Sequence, residues 1–412
     1  MGLNKRHLRK PPIPVILITM FTSKETIALF DQHVIGNYTR YPVALVRGAN
    51  SEIWDAEGKR YIDFFPGWGC GLYGHCPKPI VEAVQKQVAE LIHVPNTWYT
   101  EQQGTWAKLL SERSFGGKAF FCNSGAEANE AAIKLVRLHS SKERCKIITF
   151  EGSFHGRTMG ALSATAQPKY HEGLNPMLAG FTYVPYGNLT TVENAIDQET
   201  AAIMIEPIQG EGGVRMPPKG FLQGLRKLCD DHNLLLVFDE VQTGCGRTGH
   251  WFGYQYFGVV PDIMTLAKAV SGSLPGGAML AKPEIAASLR PGMHAATYGG
   301  NPIAAAAGIA AVNMIESGGL LTRAQKRSDL FFTILGQLAQ ETNLVQEVRG
   351  AGLMIGIELA IEGTPFVKAC MDRGLLINCT HGNVLRLLPA MTVEEKIVTE
   401  GLDILADVLK KG

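Results

Sequence analysis

Between residues 119 and 266 the chain alternates short, unbroken apolar runs with longer helical stretches, and that alternation leaves little choice of fold. The runs 119–122, 147–150, 181–184, 202–205, 234–238 and 263–266 are four or five residues long. None alternates apolar with polar residues, as a strand with one wet face would, so each suits a strand covered on both sides. Helical segments such as 221–229 separate several of them. Strands joined in this way pack most economically as a mostly parallel sheet with helices on both faces. The expected class is α/β.

In an open α/β sheet ligands sit beyond the carboxyl ends of the strands. Asp239 follows the run 234–238, and Lys268 follows the run 263–266 one strand-helix-strand unit later. An acid and a lysine are thereby aimed at one crevice. A buried carboxylate can keep a pyridine-type nitrogen protonated, and a lysine can condense with an aldehyde, which together describe pyridoxal phosphate chemistry. Taken singly, each residue has a plainer reading. A strand-end Asp caps helices or joins ion pairs, and most lysines are solvated cations.

Other strand-to-helix turns open on the same edge. Ser124, Gly125 and Ala126 lie between the 119–122 run and a helix with Ala128, Ala131, Ala132, Leu135 and Val136 on one face. Free backbone N–H groups, a hydroxyl and a glycine at a helix start make a phosphate cradle, although a simple cap by Ser124 reads equally well. Neither the nucleotide P-loop spacing nor a G-x-G-x-x-G fingerprint is present. In Gly152–Thr158, Phe154 could stack on a flat ring and Arg157 could grip a carboxylate, against core packing and a surface ion pair as alternatives. His155 reads as a structural hydrogen-bonder. Arg386 lies inside the apolar run 384–388, where an unpaired cation is costly, and Glu211 in a glycine-rich loop is a candidate partner. Thr297 and Ala296 belong to the stretch 294–302 that leads out of the α/β region.

Composition excludes several classes. With 39 Lys and Arg against 38 Asp and Glu, the net charge of +1 gives no footprint for nucleic acid. The eight cysteines show no metal-ligand spacing, so no metal is expected, and scattered thiols fit a cytoplasmic enzyme. No run reaches the length of a membrane span. Residues 1–19 combine basic pairs, prolines and a short apolar stretch, and read as a disordered extension rather than a signal peptide. The expected organisation is an N-terminal segment with a β-meander over 20–76, a large α/β domain over 77–300, and a smaller α+β domain over 301–412.

Nine segments, in order, carry a resemblance: WDAEGKRYIDF, NSGAEANEAAIKLVR, GSFHGRT, IEPIQGEGG, FDEVQTGCGRTG, LAKAV, TYGGNP, VRGAGLMIGIEL and VLRLLP. The chain from about Tyr41 onward resembles the class III aminotransferases of the fold type I pyridoxal-phosphate superfamily, and most closely their acetylornithine branch. The resemblance implies that Lys268 holds the cofactor and shuttles a proton, while Asp239 pairs with the pyridinium nitrogen. It implies that Ser124, Gly125 and Ala126 bind the phosphate, that Phe154 and Val241 sandwich the ring, and that Gln242 approaches the phenolic oxygen. Thr297 is implied to enter the neighbouring subunit's site, making the active unit a homodimer.

Arg157 is implied to bind the substrate α-carboxylate, with Glu211 and Arg386 as a switch that serves a basic ω-amino donor and then 2-oxoglutarate in turn. The expected reaction moves the δ-amino group of N-acetylornithine, or a close relative, to 2-oxoglutarate. Ornithine, 4-aminobutyrate and succinylornithine transamination are alternatives, as are an aminomutase, a racemase and an inactive binding protein of this fold. At Ala296 the acetylornithine branch usually carries a serine that contacts substrate, and residues 68–71 also depart from its pattern, so the acyl group does not follow from the motifs. Ala126, often threonine in the ornithine and 4-aminobutyrate branches, points back to the acetylornithine branch.

Overall fold

The computed structural model describes residues 21–411; the expectation for 1–19 lies outside the described residues. Two compact units emerge, one of residues 21–47 and 54–60, the other of 48–53 and 61–411. In the first, the helix Ser23–His33 begins at a capping box in which Thr22 Oγ1 accepts the Glu25 N–H and the Glu25 carboxylate accepts the Thr22 N–H. The Glu57 carboxylate adds acceptors for the Ser23 N–H and hydroxyl, at 2.7 and 2.5 Å.

The second unit is built on a seven-stranded sheet. Its order is Lys118–Cys122, Gly277–Ala281, Ile263–Leu266, Leu235–Asp239, Thr200–Ile205, Lys146–Phe150 and Phe181–Val184. All six strands expected from the apolar runs are present. The pairings from Ile263–Leu266 through to Phe181–Val184 are parallel. Burial on both faces is visible residue by residue. Leu236 and Phe238 enter one hydrophobic core, with Ile203 and Met264, while Val237 enters another, with Met204 and Ile263. The central strands are thus clamped by apolar contact from two sides, which is why their sequences do not alternate.

One strand was not expected. Gly277–Ala281 inserts antiparallel between Lys118–Cys122 and Ile263–Leu266, pairing Ala278 with both Phe121 and Leu266. Its Gly-Ala-Met-Leu-Ala sequence lacks the β-branched residues that mark strands, and tertiary pairing overrides that weak propensity. The helix Glu101–Arg113 is also an addition; it brings Trp106 to stack on Phe121 at 4.2 Å.

Beyond the long helices Pro302–Ser317 and Leu320–Glu341, an antiparallel four-stranded sheet runs in the order Val345–Ala351, Met354–Leu359, Val384–Leu387, Asn378–Thr380. The short run 375–378 is divided between two sheets. Leu375 and Leu376 pair in parallel with Ile62 and Asp63, and the chain then turns so that Asn378 stands opposite Arg386. Among the described residues no single helix is long and apolar enough to cross a membrane.

Candidate active site

Parallel pairing places Asp239 opposite Thr265, so the strand carrying the acid and the strand leading to the lysine end at one level. Asp239 is 3 % exposed. Its Oδ1 accepts the Val241 N–H at 3.0 Å, and its Oδ2 lies 2.8 Å from Asn129 Nδ2 and 2.7 Å from His155 Nδ1. Asn129 is fixed in turn, its Oδ1 accepting the Thr265 hydroxyl at 2.7 Å and its amide donating to the His155 carbonyl at 2.6 Å. A buried carboxylate needs such donors to stay charged, and here they also fix its direction.

Lys268 begins the short turn Lys268–Ser271 and has a left-handed backbone, φ 56°. A residue with a Cβ pays for that conformation with local strain, a feature that concentrates at functional sites. Its amine has no hydrogen-bond or ion-pair partner among the described residues. Burial lowers its pKa below the usual lysine range and the Arg386 charge adds to this, against the opposing influence of Glu211, Cys70 and Asp239. An amine so placed gives up its proton more easily than an exposed lysine, which suits a nucleophile or proton carrier.

Lys268 and Asp239 line one cavity of about 490 Å³, together with Ser124, Gly125, Ala126, Phe154, Arg157, Glu211, Val241 and Gln242. The helix Gly125–His139 starts at its edge, capped by Ser124, whose Oγ accepts the Glu127 N–H at 3.2 Å. The Gly125 and Ala126 N–H groups take no partner among the described residues and carry the positive end of the helix. A Cβ on Gly125 would stand 2.9 Å from Val241 Cγ1, so glycine is required there for Val241 to line the cavity. Arg157 stacks over the Tyr170 ring, 3.8 Å from its centroid, with the Phe154 ring at 5.3 Å.

Arg386 is fully buried and meets Glu211, with Nη1 2.6 Å from Oε1. Burial alone would raise the Glu211 pKa, but the Arg386 charge and hydrogen bond, with help from Lys268 and Gln242, hold it below the usual carboxylate range. The remaining Arg386 donors, Nε and Nη2, reach Asn378 Oδ1 at 3.1 and 2.8 Å, and the Phe65 ring faces the guanidinium at 5.0 Å.

Residues 35–409 match the family described as aminotransferase class-III. The chain belongs to the class-III aminotransferases. Among its relatives is the acetylornithine aminotransferase of Caldanaerobacter subterraneus subsp. tengcongensis, 48 % identical over 92 % of this chain and 98 % of the relative. Among solved structures, the ornithine aminotransferase of Toxoplasma gondii superposes with a TM-score of 0.91 at 29 % identity, covering 95 % of each chain. That structure has pyridoxal phosphate at partial occupancy in its active site. The acetylornithine aminotransferase of Elizabethkingia anophelis superposes with a TM-score of 0.85 at 33 % identity, covering 95 % of this chain and 100 % of that one.

The fold of this aminotransferase is fold type I, its cofactor is pyridoxal 5'-phosphate, and its substrates are an amino donor and a keto acid that accepts the amino group. The cavity fits that cofactor. Among the described residues it offers a lysine amine without a partner, a carboxylate oriented by three donors, unpaired N–H groups at a helix start, and a buried Gln242 Oε1 that none of them satisfies. Thr297 and Ala296 do not reach it. They line a separate cavity of about 720 Å³ with His93, Asn96 and Phe120.

Several residues of the aminotransferase's cavity escaped the sequence reading. Asn129 lies beside the alanines of its helix, where an amide reads as a solvated position, yet it is 1 % exposed and holds Asp239. Cys70 and Glu206 line the cavity as well. His155 is a hydrogen-bonder, as expected, but its partner is Asp239 itself.

Proposed function

We propose that the protein is an ω-aminotransferase that transfers the δ-amino group of N-acetylornithine to 2-oxoglutarate, giving glutamate and the corresponding semialdehyde. The observation that carries the reading is the ion pair between the buried Arg386 and Glu211 at the wall of the Lys268 cavity: a cation that a carboxylate can cover and uncover suits two unlike substrates in one pocket. Identity of 48 % to a relative named acetylornithine aminotransferase supports the choice of donor. The ornithine aminotransferase overlays more closely, 0.91 against 0.85, but backbone overlap reports the shared fold, while substrate choice depends on side chains.

Bound pyridoxal phosphate supplies an electron sink for the charge that develops on the amino-bearing carbon. Lys268 Nζ would hold its aldehyde, Asp239 its ring nitrogen, and Ser124, Gly125 and Ala126 its phosphate. Phe154 and Val241 would flank the ring, with Gln242 at the phenolic oxygen. Lys268 Nζ, once free, would take the proton from the amino-bearing carbon of the donor and pass it to the carbon that had carried the cofactor's aldehyde, a role that its lowered pKa favours. Arg157 holds the α-carboxylate of the substrate. Arg386 receives the distal carboxylate of 2-oxoglutarate after the Glu211 side chain withdraws.

The working unit is a homodimer in which Thr297 serves the neighbouring site, a reading supported by its place in a cavity separate from that of Lys268 in its own chain. The eight cysteines are all free thiols, which fits a cytoplasmic location. The test is a donor panel with 2-oxoglutarate as acceptor. N-acetylornithine should give one glutamate per donor consumed, at a kcat/KM at least about tenfold above ornithine, succinylornithine and 4-aminobutyrate, the scale of ordinary pocket discrimination. A higher value for any of these rivals would reassign the donor. Product isomerised from the donor without glutamate would indicate an aminomutase or racemase.

A further inference from the structure

We propose that Asn378 is a positioning residue that keeps Arg386 stationary and charged for the distal carboxylate of the acceptor, so that the change of partner is made by the Glu211 side chain alone. The inference rests on the reading of Arg386 as the acceptor's carboxylate site.

Asn378 and Arg386 stand opposite each other in an antiparallel ladder, which directs their side chains to one face of the sheet. The single Asn378 Oδ1 accepts from both Nε and Nη2 of Arg386, at 3.1 and 2.8 Å, while Nη1 faces Glu211. One edge of the guanidinium is therefore held by a neutral acceptor and the other by an anion. A second carboxylate in place of Asn378 would hold the same edge but leave the cation neutralised after Glu211 departs. An amide oxygen satisfies the donors and leaves the charge available. The Phe65 ring, 5.0 Å from the guanidinium, limits its movement further.

The glutamate side is built differently. Its backbone is pinned: the Glu211 carbonyl accepts the Thr380 hydroxyl at 2.7 Å, and the Gly213 and Val214 carbonyls accept from Arg349 at 2.8 and 3.1 Å. Its side chain is 22 % exposed against 0 % for Arg386. Rotation of that side chain into the cavity breaks one ion pair and disturbs neither backbone. The strand Asn378–Thr380 thus serves both partners, fixing the arginine head through Asn378 and the loop of the glutamate through Thr380.

The experiment separates the two half-reactions of the holoenzyme by single-turnover absorbance of the bound cofactor, in Asn378→Ala and Asn378→Asp, with Arg386→Ala as reference. In Asn378→Ala the apparent affinity for 2-oxoglutarate should fall about 10- to 100-fold, the scale of one or two hydrogen bonds to a charged group. The limiting rate of that half-reaction and the whole donor half-reaction should stay within about threefold, because only the acceptor's binding uses the uncovered guanidinium. Asn378→Asp retains both hydrogen bonds and should lose 2-oxoglutarate at least as strongly, since the cation is then permanently paired; it decides the matter if the alanine variant does not fold. An unchanged 2-oxoglutarate affinity in the Asn378 variants, with a loss in Arg386→Ala, overturns the role of Asn378. Equal losses in both half-reactions also overturn it, as the mark of a general structural defect. An Arg386→Ala variant with unaltered 2-oxoglutarate affinity removes the reading of Arg386, and the inference with it.

Discussion

The floor of the cavity and its wall both carry a carboxylate near a cation, and they are built in opposite ways. On the floor, Asp239 and Lys268 make no direct bond: the acid is held by an amide, an imidazole and a backbone N–H, and the amine is left without a partner. On the wall, Glu211 and Arg386 meet at 2.6 Å. An ion pair on the floor would neutralise the groups that chemistry needs charged and free. A permanently fixed pair on the wall would close the pocket to a second carboxylate. The difference separates parts that must stay in register through every turnover from parts that must exchange partners once in each.

Removing the floor's amine gives the largest effect. Lys268→Ala should lower kcat by about 10⁴-fold or more, the upper range for loss of a positioned acid-base group, and should abolish the absorbance of the lysine-bound cofactor. Turnover within tenfold of the parent enzyme would dissolve the contrast between floor and wall, because no other amine lines the cavity among the described residues. Asp239→Asn comes next. It preserves volume and removes the charge, so kcat should fall on the order of 10²- to 10³-fold with little change in either KM, as for loss of one preorganised electrostatic contact. A change confined to KM would move Asp239 from the floor's chemistry to the wall's task of binding.

The wall should answer in discrimination rather than in rate. In Glu211→Gln the cover over Arg386 loses its charge, and kcat/KM for the ω-amino donor should fall about tenfold while that for 2-oxoglutarate holds or rises. Parallel losses for both substrates would mean that Glu211 is a fixed structural partner, and the wall would then resemble the floor.

How much of this contrast was legible in the sequence follows from how local each cause is. The apolar runs announced the sheet because burial on both faces is written into consecutive residues such as those of Leu235–Asp239, and strand ends then carried Asp239 and Lys268 to one edge. Arg386 announced its need for a partner because a cation between Leu385 and Leu387 cannot be left unpaired. Three features could not be read in that way. The strand Gly277–Ala281 is defined by its neighbours rather than by its small side chains. Asn129 is polar on a helix whose adjoining face is alanine, and its target, Asp239, lies 110 residues away. Asn378 closes the short run 375–378, and only the division of that run between two sheets brings it opposite Arg386.

The smallest effect concerns two glutamates on one loop, and it sets floor against wall by sign. Glu206, on the floor, accepts the Phe154 N–H at 2.9 Å and the Gly210 N–H at 3.1 Å, but burial and the nearby Asp239 charge raise its pKa to about 7 against the pull of His155. A carboxyl whose folded pKa is raised stabilises the fold fully below its unfolded value near 4.5, and that contribution is lost as pH rises through about 7. Glu211, on the wall, has a pKa lowered through Arg386 against the effect of burial, so its contribution is present above 4.5 and is lost as pH falls through its depressed folded value. Thermal unfolding followed from acid to neutral pH should therefore flatten between about 4.5 and 7 in Glu206→Gln, and below 4.5 in Glu211→Gln, by a few degrees in each case. The slope is the measurement that matters, because glutamine at 206 also gives up one acceptor for a backbone N–H and lowers Tm at every pH. If both variants flatten the same window, the two glutamates share one electrostatic environment, and the division between a fixed floor and an exchangeable wall does not hold at this loop.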